Sequence, residues 1–320
     1  MKHIDFLKEK AKKLPEGPGI YKMLDSHKTI IYIGKSKNLR KRVQSYFTAA
    51  PKWEKVTRMV SAIRDIDHIP TDTHLEARLL ECRLIKELQP RFNAQMKNDG
   101  SYFFLKVESG NPSHPISIVL EREEDCFGPF RSKYSINELL DRLRRIYPIS
   151  RRTDGYEFEY HLFPLAMDAE VCERNRQVLL ELFSSEERLQ LLIQSIMLKM
   201  AEAVSGLQYE MAAIYRDMVH RLKIIRNGLN GYQSLVSRQI LLKLPTGDGF
   251  KLFYVSKGRI IDSIKAANLS KETVRELINN CRKLEEENTL DHSNEKAYID
   301  YRDVLYSEIM ALAKDQYELL

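Results

Sequence analysis

Residues 19–34 read GIYKMLDSHKTIIYIG, and this stretch predicts a β-hairpin. Two runs rich in β-branched and aromatic residues flank the turn-prone segment Asp25-Ser26-His27-Lys28. If these four residues form the loop, Leu24 pairs with Thr29, and Tyr21 lies directly opposite Tyr32 on the partner strand. The hairpin is therefore expected to carry two phenols side by side on one face.

A short helix is predicted directly after the hairpin, with Asn38 as its N-cap and Tyr46 near its end. Arg42 and Tyr46 are four residues apart on this helix, so their side chains should project from the same face. Lys35 lies between the second strand and the helix. A further helix is expected at about 52–63.

Residues 73–76, Thr-His-Leu-Glu, match the capping box that opens many helices. The helix should run to about Leu88, because Pro90 follows. Glu81 lies on this helix within a stripe of apolar residues formed by Ala77, Leu84, Ile85 and Leu88. A carboxylate in such a stripe is costly unless it is paired or bound to a metal. Glu81 is therefore a candidate site residue, whereas Glu76 is explained as a cap.

The composition is that of a globular protein with an uneven charge distribution. Of the 320 residues, 43% are hydrophobic and 30% are charged. Neither a membrane-spanning run of about 20 apolar residues nor a signal peptide is evident, so a cytoplasmic protein without a membrane partner is expected. The first 60 residues hold 12 Lys and 3 Arg against 5 acidic residues, a net charge of +10, and the remaining 260 carry −4. A concentrated positive segment is typical of proteins that bind a polyanion.

The cysteines argue against a metal cluster and a disulfide framework. No two of them are closely spaced, so neither a zinc module nor an iron–sulfur cluster is predicted from Cys82, Cys126, Cys172 and Cys281. Disulfides are not expected in a chain of this size with cytosolic character.

The candidate residues contain each part needed to hydrolyse a phosphodiester. Such a reaction needs a group that activates water, cations that absorb charge on the phosphoryl oxygens, and often a metal held by a carboxylate. Each residue also has a simpler explanation: a strand tyrosine packs in a sheet, and a lone lysine or arginine is solvated. Residue spacing by itself leaves both interpretations open for Tyr21, Tyr32, Lys35, Arg42, Tyr46 and Glu81.

The second half of the chain alternates between short strands and longer helices. Two helical stripes step by three and four residues, as in paired helices, and Ser205-Gly206 separates them. An antiparallel helical hairpin is therefore predicted, with the seam Leu189, Ile193, Ile196, Met200 and Ala203 against Met211, Tyr215, Met218, Leu222 and Ile225. Strands are expected at 237–266 around a turn at Gly247-Asp248-Gly249, followed by charged helices.

Gly19-Ile20-Tyr21 and Tyr32-Ile33-Gly34, followed by KSKNLRKR at 35–42 and Ser45-Tyr46-Phe47, resemble the GIY-YIG nuclease domain of the UvrC family. Leu80–Lys86 with Phe92-Asn93 is similar to that family's metal-binding helix and the asparagine beyond it. Residues 200–222 resemble the UVR motif through which UvrC contacts UvrB.

The resemblance implies an α+β chain with four segments. A small GIY-YIG α/β nuclease domain with a short mixed sheet would occupy residues 1–98. A UvrC-like connecting module without a cysteine cluster would occupy 99–185, since only Cys172 falls within 148–185. A UVR helical hairpin at 186–230 and a small α+β segment of unknown role at 231–320 would follow.

The resemblance also assigns roles within the nuclease domain. Tyr32 would activate or orient the attacking water, and Lys35 would favour its phenolate. Arg42 would stabilise the phosphoryl transition state, and Glu81 would hold one divalent ion, Mg²⁺ or Mn²⁺. The remaining predicted site residues are Tyr21 and Tyr46 in the phenolic set, Asn93 as an orienting residue, Lys37, Arg40 and Lys41 at DNA, and Leu207, Tyr209, Ala213 and Arg216 at the protein partner.

The expected activity is that of a DNA endonuclease in nucleotide excision repair. It would cut one phosphodiester 3′ to a lesion, on damaged duplex DNA loaded with UvrB after UvrA has acted. Residues 233–320 are too few for the second nuclease and helix-hairpin-helix elements of UvrC, so the chain is similar to short UvrC homologues of the Cho type. Two alternatives are a non-catalytic UVR adaptor that holds DNA, and a GIY-YIG nuclease that cuts branched or mobile-element DNA without UvrB.

Overall fold

The computed structural model describes residues 2–48, 53–97, 102–112, 114–130, 133–287 and 298–320. The first part of the chain forms a three-stranded sheet in the order β2-β1-β3, with helices around it. Both strand pairings are antiparallel, so the expected mixed sheet is corrected to an antiparallel one. The elements are α1 Lys2–Lys12, β1 Gly19–Leu24, β2 Ile30–Ser36, α2 Leu39–Gln44, α3 Glu54–Ala62, β3 Asp65–Pro70 and α4 His74–Leu88.

The hairpin is present, but its predicted register is wrong. Tyr21 pairs with Gly34 and Tyr32 with Met23, next to a bulge in β2 that leaves Ile31 unpaired. The loop closes on Thr29, whose N–H donates to the Asp25 carboxylate at 3.0 Å and whose carbonyl accepts from the Asp25 N–H at 3.0 Å. Because Tyr21 and Tyr32 are diagonal neighbours on one face, their ring centroids still lie 6.1 Å apart.

Gly34 is required because the side chain of Tyr21 crosses over it. A Cβ atom built on Gly34 would overlap the ring and hydroxyl of Tyr21, which is fully buried. We expect Gly34→Ala to lower the free energy of unfolding by about 2 kcal/mol, as is usual for overpacking a core. Urea denaturation would measure this, with Gly17→Ala as the control, since nothing lies within 4 Å of a Cβ at Gly17. Equal stability of both variants would contradict the assigned role.

The two predicted helix starts are confirmed. The Asn38 side chain accepts the Lys41 N–H at 2.9 Å, and α2 ends at Gln44 before a single 3₁₀ turn, Ser45–Phe47, that carries Tyr46. The capping box at Thr73 has both reciprocal bonds, and α4 ends at Leu88 as predicted. These caps fix where α2 and α4 begin, and so they set the positions of Arg42, Tyr46 and Glu81.

Residues 102–236 form a largely helical region with a three-stranded sheet and a small hairpin. The predicted seam is confirmed, because the residues of both stripes are buried in, or packed against, one hydrophobic core. The elements are β4 Phe103–Val107, β5 Ile116–Val119, β6 Cys126–Phe130, α5 Lys133–Leu143, β7 Ser150–Arg152, β8 Gly155–Glu157, α6 Ala169–Ser184, α7 Glu186–Ser205 and α8 Tyr209–Val236.

The last part of the chain forms a four-stranded antiparallel sheet in the order β11-β10-β9-β12, with two helices. The turn at Gly247-Asp248 is confirmed, because Thr246 and Gly249 pair across it. The final strand, which pairs Tyr317 with Leu242, was not predicted. The elements are β9 Ile240–Thr246, β10 Gly249–Ser256, β11 Arg259–Ala266, α9 Lys271–Glu287, α10 Ile299–Ile309 and β12 Tyr317–Leu319.

The chain divides into two compact units, one formed by 1–99 together with 235–320, and the other by 100–234. Within the first unit, Leu75 of α4 shares a hydrophobic core with Phe253 of β10 and Leu305 of α10. The first and fourth predicted segments thus fold together, while the four-segment division itself stays a prediction. Among the described helices, none combines the length and apolarity needed to cross a membrane.

Candidate active site

Five of the seven predicted catalytic residues line one open cleft of ≈ 530 Å³ in the first unit. They come from β2, from α2 and the turn after it, from α4, and from the segment beyond α4. The five are Tyr32, Arg42, Tyr46, Glu81 and Asn93. The other two contact lining residues: Tyr21 bonds Tyr46, and the Lys35 backbone bonds Glu81.

Tyr21, Tyr32 and Tyr46 form a compact cluster on one wall of the cleft. Their ring centroids are 5.9 to 6.4 Å apart. The Tyr21 and Tyr46 hydroxyls are 2.8 Å apart, and the Arg42 Nε lies 3.4 Å from the Tyr21 oxygen. The Arg42 guanidinium also lies 5.2 Å from the centre of the Tyr46 ring.

The chemistry of these groups sets the direction of the hydrogen bonds. Arginine only donates, so the Tyr21 oxygen accepts from Arg42, and the Tyr21 hydroxyl is then available to donate to Tyr46. Tyr46 accepts that bond and can donate its own proton to an acceptor in the cleft. The arrangement offers Tyr46 and Arg42 as donors to an anionic oxygen.

Tyr21 and Tyr32 are protonated at neutral pH. Burial is the main cause that raises the pKa of Tyr21, and it also raises the pKa of Tyr32, with further increases from Tyr46 and Glu81. The expected effect of Lys35 on the Tyr32 phenolate does not appear in the structure, because the Lys35 ammonium contacts His74 at 3.2 Å instead. Tyr32 therefore presents a neutral phenol to the cleft.

Glu81 is the single carboxylate among the residues that line the cleft. Its Oε1 accepts the backbone N–H of Lys35 at 2.9 Å, which fixes the carboxylate at the end of β2. Burial raises the pKa of Glu81, while the Lys35 N–H and the charges of Lys35, Arg78 and Arg42 oppose that rise. These three cations thus partly offset the effect of burial on a half-buried carboxylate.

The donor set suits a hard divalent cation that keeps most of its waters. In the described part of the chain, no group of three or more histidine, cysteine, aspartate or glutamate side chains forms a metal cage. Within the same ranges, the second Glu81 oxygen has no hydrogen bond to protein. Magnesium commonly takes one or two carboxylates and completes its shell with water and phosphate oxygens. Glu81 fits that pattern.

Asn93 fastens the segment after α4 to the edge strand β2. Its Oδ1 accepts the Ile33 N–H at 2.9 Å, and its Nδ2 donates to the Ile33 carbonyl at 2.8 Å. Both ends of the amide are therefore used by one backbone residue. This geometry supports the predicted orienting role.

The predicted DNA-contact residues differ in their exposure and in their hydrogen bonds to the rest of the protein. Lys37 and Lys41 are exposed. Arg40 instead donates to the Leu14 carbonyl and the Glu16 carboxylate, both at 2.7 Å, so we interpret it as a structural residue. Lys55 of α3 lines the cleft and was missed, because nothing in its sequence neighbourhood separates it from other surface lysines.

The predicted partner-binding residues lie at and near the connection between α7 and α8. Leu207 and Tyr209 are 71% and 65% exposed, although both are large and apolar. Ala213 is half-buried, and Arg216 is exposed with its guanidinium on Asp217 at 3.0 Å. The hairpin therefore presents an apolar tip to solvent.

Three residues next to the site were not found from the sequence. His74 and Arg78 lie on the face of α4 that carries Glu81, so helical spacing could have revealed them. Glu308 contacts both, with Oε1 3.3 Å from His74 Nδ1 and Oε2 2.7 Å from Arg78 Nη1. Nothing in the sequence connects Glu308 to α4 across more than 200 residues.

Comparison with known proteins finds a family match over the part of the chain that contains the cleft. The family model of the UvrC-like GIY-YIG domain matches residues 17–94, which include all seven predicted catalytic residues. The UvrABC system protein C of Alkaliphilus oremlandii is 31% identical over 284 residues, and that of Streptococcus sanguinis is 32% identical over 271 residues. Each match covers 80% of this chain and 44% of the relative, so the chain spans less than half the length of the curated relatives it matches.

One solved structure concerns the N-terminal domain. It is described as the GIY-YIG N-terminal endonuclease domain of UvrC from Thermotoga maritima bound to its catalytic divalent cation, magnesium. Its sequence is 34% identical, with 28% of this chain and 98% of that chain covered and a TM-score of 0.26. Residues 17–94 are thus a GIY-YIG domain of the UvrC type, and about four fifths of the chain is similar to UvrC proteins.

Proposed function

We propose that this protein is a metal-dependent DNA endonuclease of nucleotide excision repair, acting in the cytoplasm. It hydrolyses one phosphodiester 3′ to a lesion on damaged duplex DNA that UvrB has loaded. The observation that carries the proposal is the cleft itself, in which one carboxylate, Glu81, faces donors from Arg42 and Tyr46. A phosphate, a cation and a water have complementary partners there.

Each residue has a distinct task in the proposed reaction. Glu81 would hold a Mg²⁺ or Mn²⁺ ion, which when bound would supply Lewis-acid stabilisation of developing negative charge. Arg42 and Tyr46 donate to the nonbridging phosphoryl oxygens, where charge increases in the transition state. Tyr32, a neutral phenol, orients the attacking water by accepting its hydrogen bond. Asn93 holds the segment after α4, which lines the cleft, against β2.

The basic N-terminal segment supplies affinity that is independent of DNA sequence. Lys37 and Lys41 are exposed near the cleft, and phosphate contacts of this kind position a protein without reading bases. Damage specificity must then come from a partner. The relatives are named as components of the UvrABC system, which supports UvrB as that partner and UvrA as the upstream factor.

A damaged duplex labelled at both ends, incubated with UvrA, UvrB and Mg²⁺, tests the proposal. We expect one incision on the 3′ side of the lesion, and none when UvrB or the metal is omitted. Incision without UvrB would favour a nuclease for branched or mobile-element DNA. Failure to cut under every condition, with DNA binding retained, would favour a non-catalytic adaptor.

The exposed hairpin tip supports recruitment through the UVR motif. We expect Tyr209→Ala to weaken UvrB binding by about tenfold or more, since exposed aromatic residues often dominate interfaces. Its melting temperature should be unchanged, because Tyr209 is mostly exposed. Isothermal titration with UvrB measures the affinity, and Tyr134→Ala, which alters another exposed tyrosine in the same unit, is the matched control. Equal affinity of both variants would remove Tyr209 from the interface.

A further inference from the structure

A chain of polar contacts joins the last helix of the protein to the cleft. In α10, Glu308 lies against His74 and Arg78 on one face of α4. His74 in turn contacts the Lys35 ammonium, with Nε2 3.2 Å from Nζ. The Lys35 backbone N–H bonds Glu81, so three contacts lead from the C-terminal segment to the carboxylate of the cleft.

The order of donors along this chain is fixed by the two ends. A lysine ammonium only donates, so His74 must accept at Nε2. The ring then carries its proton on Nδ1, which donates to the Glu308 carboxylate. Without that carboxylate, only the Lys35 ammonium is left among these contacts to favour the Nδ1–H form. Glu308 thus stabilises the tautomer in which His74 Nε2 accepts from Lys35.

The network is largely shielded from solvent, so its polar contacts are stronger than the same contacts would be at the surface. The Glu308, His74 and Arg78 side chains are all largely buried. Arg78 makes a second bond to the same helix, from Nη2 to Ser307 Oγ at 2.7 Å. The Lys86 ammonium, one helical turn beyond Glu81, meets Asp300 of α10 at 2.8 Å. α10 is therefore docked along α4 on both sides of Glu81.

We propose that Glu308 is a positioning residue of the nuclease site, and that the C-terminal segment completes this site. Glu308 stabilises the His74 tautomer that accepts from Lys35, and His74 holds the Lys35 ammonium beside Glu81. Arg78, held by the other Glu308 oxygen, is the second cation kept near Glu81. This inference rests on the proposed function, and it gives residues 235–320 a role in the same reaction.

Single-turnover incision by Glu308→Ala is the first test. We expect a rate about tenfold below wild type, the loss usual when an outer-shell partner is removed. In the Lys35→Ala background, Glu308→Ala should cause a smaller further loss than it does in wild type, because part of its effect passes through Lys35. The matched control is Glu318→Gln, which alters another ion-paired carboxylate of the same segment, with Lys243 at 2.7 Å, and should cut at the wild-type rate.

Two outcomes of the kinetic test would overturn the proposal: a wild-type rate for Glu308→Ala, or fully additive losses in the double variant. If Glu308→Ala melts at a lower temperature, Glu308→Gln replaces it. Its amide can satisfy either His74 or Arg78 but not both, so we expect a smaller loss and the same non-additivity.

Nitrogen-15 NMR of histidine provides a readout that needs neither substrate nor metal. The His74 signals are identified by their loss in His74→Gln. Wild type should show the Nδ1–H tautomer, and Glu308→Ala should show a smaller Nδ1–H fraction, whereas an unchanged fraction would overturn the proposal. If wild type makes no incision, the proposed function fails, and the tautomer measurement still decides whether Glu308 controls His74.

Discussion

Glu81→Gln is expected to lower the incision rate by about a thousandfold or more while leaving duplex binding within about twofold, since a catalytic metal supplies several kcal/mol of charge stabilisation. Glutamine keeps the shape of glutamate and can still accept the Lys35 N–H. It removes the negative charge that a hard divalent cation needs. The lost function should therefore be metal-dependent chemistry, not folding.

Two measurements separate chemistry from binding in this variant. Single-turnover incision over a range of Mg²⁺ concentrations gives the incision rate. The fluorescence of the protein's single tryptophan reports DNA binding. Trp53 is 87% exposed and lies two residues before Lys55 of the cleft, so bound duplex should change its fluorescence. Glu87→Gln is the control on the same helix, because Glu87 is exposed. An active Glu81→Gln protein would exclude Glu81 as the metal ligand.

Local sequence signals were sufficient to predict most of the site. The caps at Asn38 and Thr73 depend on neighbouring residues only, so the positions of α2 and α4 followed from the sequence. A carboxylate within an apolar stripe identified Glu81 for the same reason. These signals work because a helix brings residues three and four apart to one face.

Features that depend on distant parts of the chain were not predictable in the same way. The hairpin register was missed by two residues at Tyr21, because the Asp25 side chain reorganises the loop and a bulge in β2 leaves Ile31 unpaired. The strand β12 joins β9 through a pairing between segments about 75 residues apart. Glu308 reaches His74 only because α10 packs on α4. No periodicity or motif in the sequence encodes such a contact.

Arg42→Lys should reduce the incision rate by about a hundredfold, although it preserves the positive charge, because removing one transition-state donor typically costs that much. The guanidinium of Arg42 reaches both the Tyr21 hydroxyl and the face of the Tyr46 ring. An ammonium cannot reproduce this planar fork of donors. The rate at saturating DNA and Mg²⁺ should therefore fall, with duplex affinity little changed.

Comparison with two neighbouring variants shows how Arg42 acts. Lys41→Ala removes an exposed charge next to it in α2 and should weaken DNA binding, lowering the salt dependence of affinity by about one unit, with the saturated rate unchanged. Tyr21→Phe removes the hydroxyl that accepts from Arg42 but leaves the guanidinium in place. If Arg42 acts on phosphate, Arg42→Lys must be slower than Tyr21→Phe, and the double variant no slower than Arg42→Lys. Equal rates for the two single variants would mean that Arg42 serves only to orient the tyrosine cluster.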